Sequence, residues 1–233
     1  HGSPINVHSL APFGENIQAY QEVFQKFGLK YKIFFARKAN KCIVFPLAAS
    51  KQGQGADTAS FRELKQCLDA GIAPKDLILT AAVKNRQLLE LAVEHQVTVV
   101  LDNMDEWDLL QQIVRDKQKE ITVNVRLGSF HFEGKTLPTR FGFTSEEAFL
   151  FIQKIRKEEP LLRFSGLHFH LNGYSVEQRV TAIEQSLELI DRLHGQGINT
   201  ESLDIGGGFL MNYLSDKFEW ENFHRELKRA VLD

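Results

Sequence analysis

Short apolar stretches alternate along the chain with longer stretches whose apolar residues recur every three or four positions. The short stretches are rich in β-branched and aromatic residues, as strands are, and the longer ones have the spacing of amphipathic helices. After a short strand candidate at 5–9, the predicted strands are one ending at Lys38 and others at 55–59, 76–80, 97–101, 121–127, 164–170 and 202–205. The predicted helices are 16–27, 42–50, 61–70, 85–95, 106–116, 145–158 and 176–194, with a last one around 220–231.

Regular alternation of strand and helix predicts a parallel sheet, because each helix is the crossover that two parallel strands need. Seven successive units favour a (β/α)8 TIM-like barrel of the α/β class over an open doubly wound sheet. An open sheet usually has a glycine-rich turn after its first strand, whereas this position holds Arg37-Lys38-Ala39. The eighth strand is absent from the sequence, so we expect a single barrel domain that is incomplete at its C-terminus.

Composition and charge argue against several classes of protein. The 28 basic and 30 acidic residues are interspersed and give a net charge of -2, so neither nucleic acid nor a membrane surface is an expected partner. The two cysteines, Cys42 and Cys67, lack the spacing of a metal site, so we expect no metal and a reduced, cytoplasmic protein. No stretch approaches the length of a membrane span.

Polar and ionisable residues collect at the C-terminal ends of the predicted strands, which is where barrel enzymes place their chemistry. They are Lys38, Asp57, Thr80, Asp102 with Asn103, Arg126, His168 with His170, and Gly206-Gly207-Gly208. In the strand at 121–127 the polar residues Thr122, Asn124 and Arg126 occupy one face, which we expect to face the barrel interior.

Lys38 and the glycine run together suggest a particular cofactor. Lys38 shares a strand face with Phe34 and Ala36, so we expect it at the end of a buried row, where partial desolvation favours the neutral amine that forms Schiff bases. Three glycines before a helix allow backbone N–H groups to close around a phosphate. A phosphorylated cofactor that forms an imine is indicated, and pyridoxal 5'-phosphate (PLP) is the obvious candidate.

Several segments resemble motifs of the fold-type III PLP enzymes, which include diaminopimelate, ornithine and arginine decarboxylases and, more remotely, alanine racemase. The segment Phe35-Ala36-Arg37-Lys38-Ala39-Asn40 is similar to the family signature Tyr-Ala-x-Lys-Ala-Asn. Residues 166–170 and 203–209 resemble the motifs of the sixth and seventh strands, 56–60 with Glu63-Leu64 that of the second, and 2–7 the opening of the family region. The resemblance runs through nearly the whole chain, in order.

The resemblance implies a role for each matching residue. Lys38 would hold PLP as an internal aldimine, and His170 would stack on the pyridine ring. Gly206, Gly207 and Gly208 would bind the phosphate. Asp57 and Arg126 would line the cofactor pocket, with Arg126 near the ring hydroxyl.

The sequence also departs from the family pattern, which points to a divergent subgroup. Asn172-Gly173 stands where the family often has Gly-Ser, with the serine on the phosphate, and Arg37 stands where the family usually has an apolar residue. We expect residues 1–233 to form one PLP-binding barrel domain with seven of the eight βα units. The C-terminal β-domain of the family, which completes the site across a homodimer, would lie outside this chain.

The loop from Gly128 to Thr144 is long for a barrel and is therefore expected to be functional or mobile. It contains Arg140, whose planar guanidinium would suit a substrate carboxylate, although pairing with Glu133 or Glu146 is an equally good interpretation. Arg140 and His168 are the candidates for contact with the substrate.

The predicted function is PLP-dependent decarboxylation of a free amino acid, diaminopimelate-like or basic. Three alternatives stay open: a PLP-dependent amino-acid racemase, a non-catalytic PLP-binding barrel, and a metal-dependent hydrolase. In the last, His168 and His170, two apart on one strand, would share a zinc ion.

Overall fold

The computed structural model describes Gly2, residues 4–137, residues 139–208 and Arg229. The chain divides into two compact units, His1–Leu79 and Thr80–Asp233. In both units strands alternate with helices, as the hydrophobic pattern predicts. Among the described helices, none is both long and apolar enough to cross a membrane.

The first unit is built on a small parallel sheet in which β2 lies between β1 and β3. Its elements are α1 (Ala11–Lys26), β1 (Phe34–Ala36), α2 (Val44–Lys51), β2 (Gly55–Thr58), α3 (Phe61–Asp69), a 3-10 turn (Pro74–Asp76) and β3 (Leu77–Leu79). Ala36 lies opposite Asp57, which lies opposite Ile78. The ring of Phe35 packs against Phe13 and Phe45, at centroid distances of 5.1 and 5.7 Å, and so joins β1 to α1 and α2.

The second unit is built on four parallel strands in the order β4-β5-β8-β9. Its elements are α4 (Arg86–His95), β4 (Thr98–Leu101), α5 (Met104–Lys117), β5 (Ile121–Leu127), β6 (His131–Phe132), β7 (Lys135–Thr136), α6 (Ser145–Glu158), β8 (Leu162–Phe169), α7 (Val176–His194) and β9 (Ser202–Asp204). The short strands β6 and β7 form a separate antiparallel hairpin. This hairpin belongs to the long loop at 128–144 and was not predicted.

The two faces of β5 differ as the sequence predicts. Val123, Val125 and Leu127 are buried on one face, while Asn124 and Arg126 are buried on the other. Burial on both faces is typical of a parallel sheet that is covered by helices. The polar face of β5 is thus enclosed by protein.

Most helices begin at a side chain that accepts a hydrogen bond from the first turn. These N-terminal caps are Ser60, Asn85, Asn103, Thr144 and Ser175. Such caps satisfy backbone N–H groups that have no partner within the helix. Each of these caps follows a strand or its loop, so the caps fix the points at which the loops at the strand ends turn into helices.

The cap of α6 gives a first prediction. Thr144 accepts a hydrogen bond from the backbone N–H of Glu147, and the Glu147 carboxylate accepts bonds from the N–H and hydroxyl of Thr144. Thr144→Ala is expected to lower the free energy of unfolding at pH 7 by about 1 kcal/mol, and Thr144→Ser by much less. Chemical denaturation measures both.

The loss of unfolding free energy in Thr144→Ala should depend on pH in a defined direction. The bonds from Thr144 hold the pKa of the Glu147 carboxyl below its ordinary value of 4.5. The stabilisation from this carboxylate is therefore present above pH 4.5 and disappears as the pH falls through the lowered pKa. The difference between wild type and Thr144→Ala should shrink at acid pH, and a difference that grows there would contradict this assignment.

Two predicted elements differ from the structure. Residues 5–9 form no strand, and Ile5 and Val7 are 65% and 86% exposed, because this stretch pairs with no neighbouring strand among the described residues. Helix α1 begins at Ala11 rather than near Asn16, since Pro12 occupies the first turn, where its missing N–H costs nothing. The predicted last helix around 220–231 lies, apart from Arg229, outside the described residues.

Candidate functional site

Lys38 lies in the first unit, in a turn two residues after the end of β1. The prediction that it ends a buried row is wrong. Its side chain is exposed, and Phe34 and Ala36 on the predicted row are only half-buried. The reason is that β1 is three residues long and gives way at Arg37 to a turn, closed by the N–H of Ala39 on the carbonyl of Ala36 at 3.0 Å. Asp57, at the corresponding end of β2, is half-buried.

Arg37, the residue before Lys38, is fully buried and holds this turn in place. Its guanidinium donates to the backbone carbonyl of Lys41 and to Gln66 Oε1, the latter at 3.1 Å. Its backbone N–H donates to the carbonyl of Asp57 at 3.0 Å. The charged residue at a usually apolar position thus links the Lys38 turn to β2 and α3, which orients the exposed lysine without burying it.

In the second unit, four polar side chains lie side by side at the C-terminal ends of neighbouring strands. The strand register places Arg126 opposite His168 and His168 opposite Asp204, and Asp102 follows the end of β4 next to Arg126. Arg126 Nη1 lies 3.1 Å from Asp102 Oδ1, and His168 Nε2 lies 3.9 Å from Asp204 Oδ2. We call Asp102, Arg126, His168 and Asp204 the polar row. The predicted interior face of β5 is therefore part of a larger charged array.

The polar row retains unused hydrogen-bonding capacity. Asp102, Arg126 and His168 are 5 to 7% exposed. Within the part of the chain that the structure describes, Arg126 Nε has no hydrogen-bond partner, while Arg126 Nη1 and Asp102 Oδ1 form an ion pair at 3.1 Å. Burial raises the pKa of Asp102, against the opposing effects of Arg126 and Lys84. A buried polar atom without a partner requires an explanation, and contact with a bound ligand is one.

A second buried ion pair, Lys84 with Glu106, is hydrogen-bonded to the backbone of the polar row at Asp102. Lys84 Nζ donates to Glu106 Oε2 at 2.8 Å and to the carbonyl of Ala81 at 2.6 Å, and the same Glu106 oxygen accepts the N–H of Asp102 at 3.0 Å. Burial lowers the pKa of Lys84 and raises that of Glu106, while each partner opposes the shift of the other. Neither residue is predicted from the sequence, because a lysine and a glutamate near helix starts look like surface residues.

The loop segment Thr139–Phe143 packs against the end of β5. The N–H of Phe143 donates to the carbonyl of Arg126 at 2.9 Å, and the ring of Phe141 lies 4.8 Å from the guanidinium carbon of Arg126. Arg140 is exposed, with its guanidinium 5.6 Å from the same ring. The predicted substrate contact Arg140 is therefore brought close to the polar row, since both arginines lie near the ring of Phe141.

Gly142 is expected to be intolerant of substitution in this segment. It has φ of +83°, and an added Cβ would lie 2.8 Å from the carbonyl carbon of Leu127 and 2.9 Å from the carbonyl oxygen of Arg126. Gly142→Ala should lower the free energy of unfolding by roughly 2–3 kcal/mol, the sum of an unfavourable φ and a backbone collision.

Gly134 in the hairpin turn is a matched control for this prediction. Its φ is +73°, but nothing lies within 4 Å of an added Cβ. Gly134→Ala should therefore cost only the conformational part, about 1 kcal/mol. Chemical denaturation measures the loss of unfolding free energy in each variant. Equal losses would show that the contact of the added Cβ with the backbone of Arg126 and Leu127 at Gly142 is unimportant.

The Gly206–Gly208 run (the glycine loop) follows β9 and lies against the end of β8. Gly206 has φ of +66°, and an added Cβ would lie 2.4 Å from the carbonyl oxygen of Phe169 and 3.2 Å from His170 Nδ1. Its N–H donates to Asp204 Oδ1 at 2.8 Å. Gly206 is thus required for close contact with His170, while its N–H is already bonded to Asp204.

His170, Gly207 and Gly208 line one cavity of about 340 Å³, together with Leu171, Asn172, Gly173 and Tyr174. A smaller cavity of about 180 Å³ adjoins His170 on the side of the long loop and is lined by residues that include Leu127, Phe130 and Leu137. The predicted stacking histidine and two of the predicted phosphate-binding glycines are therefore brought together. A glycine cradle beside an imidazole, with buried donor and acceptor atoms in the polar row, fits a planar phosphorylated cofactor.

Comparison with known proteins agrees with this fit. Residues 10–233 match the family described as pyridoxal-dependent decarboxylase, pyridoxal binding domain. The chain belongs to this family, and its cofactor is accordingly PLP. The resemblance in the sequence motifs is thereby confirmed.

Individual relatives are distant but similar over nearly the whole chain. The uncharacterized protein y4yA of Sinorhizobium fredii is 29% identical over 216 residues, which are 92% of this chain and 46% of that protein. The diaminopimelate decarboxylase of Staphylococcus aureus is 25% identical over 99% of this chain and 56% of its own length. The structure of diaminopimelate decarboxylase from M. jannaschii in co-complex with L-lysine matches with a TM-score of 0.88 and 20% identity, covering 99% of this chain and 57% of that one.

The structural similarity confirms the predicted fold class, an α/β barrel of the PLP-binding type. The chain spans about half the length of the relatives that it matches. The prediction that residues 1–233 form a single domain, with a C-terminal domain outside the chain, stays a prediction.

Proposed function

We propose that this chain binds PLP covalently through Lys38 and that the protein decarboxylates a free amino acid, diaminopimelate-like or basic. The observation that carries the proposal is the shared cavity of His170, Gly207 and Gly208 next to the polar row. Membership of the pyridoxal-dependent decarboxylase family supports the reaction class. When bound, PLP supplies an electron sink for the negative charge that develops at the substrate Cα.

Each residue of the site is assigned a task in this proposal. Lys38 holds the cofactor and exchanges protons at its Nζ, a task that its exposed position and the fixed Arg37 turn allow. His170 packs against the cofactor ring, and Gly207 and Gly208 donate N–H groups to the phosphate. Gly206 allows the backbone of the glycine loop to lie close to His170. It does not donate to the phosphate, since its N–H is bonded to Asp204.

The polar row serves to orient the cofactor ring. Arg126 retains an unused Nε donor beside the carboxylate of Asp102, so it is suited to the ring hydroxyl that the family resemblance assigns to it. Asp57, at the C-terminal end of β2, is the further pocket residue in this proposal. Enclosed, preorganised charges of this kind act without having to reorganise during the reaction.

Contact with the substrate is assigned to Arg140, which is exposed and carries a planar fork that matches a carboxylate. His168, the second candidate, is 5% exposed and lies 3.9 Å from Asp204. We therefore propose that the main role of His168 is to support the polar row. The contacts that hold the substrate carboxylate set the orientation of the substrate. This orientation decides which bond at Cα breaks, because the breaking bond must stand perpendicular to the cofactor ring.

Two further properties follow from the family resemblance. We propose that the complete protein is a homodimer and that it works in the cytoplasm. A charge of -2 and two free cysteines, Cys42 and Cys67, are compatible with both.

The reaction is tested by incubating the protein and PLP with a panel of L- and D-amino acids in deuterated water. We expect carbon dioxide and an amine that carries one deuterium at Cα, from a diaminopimelate-like or basic substrate. Exchange and inversion at Cα without carbon dioxide would make the protein a racemase. Binding of PLP without turnover of any amino acid would make it a non-catalytic PLP-binding protein.

A further inference from the structure

Arg179 is a buried cation to which neither the sequence motifs nor the proposed function gives a task. It lies in the first turn of α7 and is 2% exposed. Its Nη1 donates to the carbonyl of Ile205, and its Nη2 donates to the carbonyls of Gly207 and Gly208, both at 3.0 Å. A buried charge is costly unless it is paired or hydrogen-bonded, so three acceptors from one loop are a specific arrangement.

These hydrogen bonds fix the direction of the peptide group that joins Gly207 to Gly208. In a trans peptide the C=O and the following N–H point in opposite directions. Because the carbonyl of Gly207 faces Arg179, the N–H of Gly208 points away from it. The N–H of Gly206 is held separately by Asp204 Oδ1 at 2.8 Å. The loop is therefore held between a cation on one helix and a carboxylate on β9.

The loop that Arg179 orients is one wall of the cavity that also contains His170. Gly207 and Gly208 both line this cavity of about 340 Å³. A guanidinium bonded to a peptide carbonyl polarises that peptide group, which makes its N–H a stronger donor towards an anion. Without Arg179, three flexible residues with glycine's conformational freedom would have to be ordered when the anion binds.

We propose that Arg179 is a positioning residue that sets the glycine loop to receive the phosphate group of the cofactor without touching it. The inference rests on the proposed function, since it concerns the phosphate end of the same site. The ligand chemistry is a phosphate monoester. The side chain acts through the peptide groups of Gly207 and Gly208.

The test compares two ligands that differ only in the phosphate, PLP and pyridoxal. Titrations followed by absorbance give the Kd of each for wild type, Arg179→Met and Arg179→Lys. Arg179→Met should weaken PLP binding by about 10- to 100-fold and change pyridoxal binding less than about threefold. The loss of PLP affinity in Arg179→Lys should be smaller than in Arg179→Met but measurable. A single ammonium group cannot bond to three carbonyls at once as a planar guanidinium does.

Arg192 provides the matched control, since it is an exposed arginine on the same helix that pairs with Glu146. Arg192→Met should leave both affinities unchanged. If PLP and pyridoxal weaken equally in Arg179→Met, or if neither weakens, the positioning role is wrong. Should Arg179→Met not fold, Arg179→Lys decides, and an unchanged PLP preference in it overturns the inference.

Failure of the proposed function has a different signature. In that case wild type itself would show no saturable PLP binding and no preference for PLP over pyridoxal. A wild type that prefers PLP while Arg179→Met keeps the full preference would overturn the role of Arg179 alone.

Discussion

The Lys38→Arg variant is expected to lose amino-acid turnover by roughly 10⁴-fold or more and to lose the visible absorption of a lysine-bound cofactor. Arginine keeps the positive charge of the turn, but its guanidinium stays protonated and does not bond to the cofactor's aldehyde carbon. The variant should fold normally, because Lys38 is exposed and the buried contacts of this turn belong to Arg37. Steady-state kinetics and an absorption spectrum measure the two losses.

Lys51→Arg is the control for this experiment. Lys51 is also exposed and lies at the end of α2, in the same unit as Lys38. Its substitution should leave turnover and absorption unchanged. If Lys38→Arg kept more than a tenth of wild-type turnover, covalent attachment at Lys38 would not be part of the reaction.

The Lys84→Met variant should show the largest effect on stability. Lys84 and Glu106 form an ion pair at 2.8 Å with side chains that are 0% and 5% exposed. Removing the cation leaves the glutamate buried without its partner, which is expected to lower the free energy of unfolding by about 3–5 kcal/mol at pH 7. Because Glu106 also accepts the N–H of Asp102, the polar row should be disturbed as well.

A second substitution separates the unpaired charge from the lost packing. In Lys84→Met with Glu106→Gln, the amide oxygen still accepts the N–H of Asp102, while no unpaired charge remains. This double variant should be more stable than Lys84→Met alone. Lys119→Met, which removes an exposed partner of Glu94, should have only a small effect.

The loss in Lys84→Met also has a defined pH dependence. Burial raises the pKa of Glu106 above its ordinary value of 4.5, and removal of Lys84 takes away the main opposing effect. The penalty for the charged carboxylate is therefore absent below pH 4.5 and complete above the raised pKa. The difference between wild type and Lys84→Met should shrink as the pH is lowered towards 4.5, and a constant difference would contradict this explanation.

The sequence predicts the elements of this fold well where hydrophobic periodicity is strong. The polar and apolar faces of β5 and the alternation of strands and helices follow from which side chains are buried. The spacing of apolar residues along the sequence shows this burial directly. The position of Arg126 near Asp102 and His168 was also predictable, because the C-terminal ends of parallel strands lie side by side. The same logic brings His170 to the glycine loop.

Other features depend on information that a single sequence does not contain. The strand before Lys38 ends earlier than its apolar pattern indicates, so the alternation that would bury Lys38 stops at Ala36. Lys84 and Arg179 lie near helix starts, where charged residues are usually exposed, and only the tertiary structure shows them buried against Glu106 and the glycine loop. Arg37 could be noticed as unusual, but its partners on α3 are set by packing.

The most direct test of the central claim is to trap the cofactor on the protein and find the lysine that carries it. The protein is incubated with PLP, reduced with borohydride, digested and analysed by mass spectrometry of the peptides. We predict a pyridoxyl label on Lys38, in the peptide that contains Phe35-Ala36-Arg37-Lys38-Ala39-Asn40, with little on Lys41 or Lys51. Label on Lys41 or Lys51 and none on Lys38 would contradict the account.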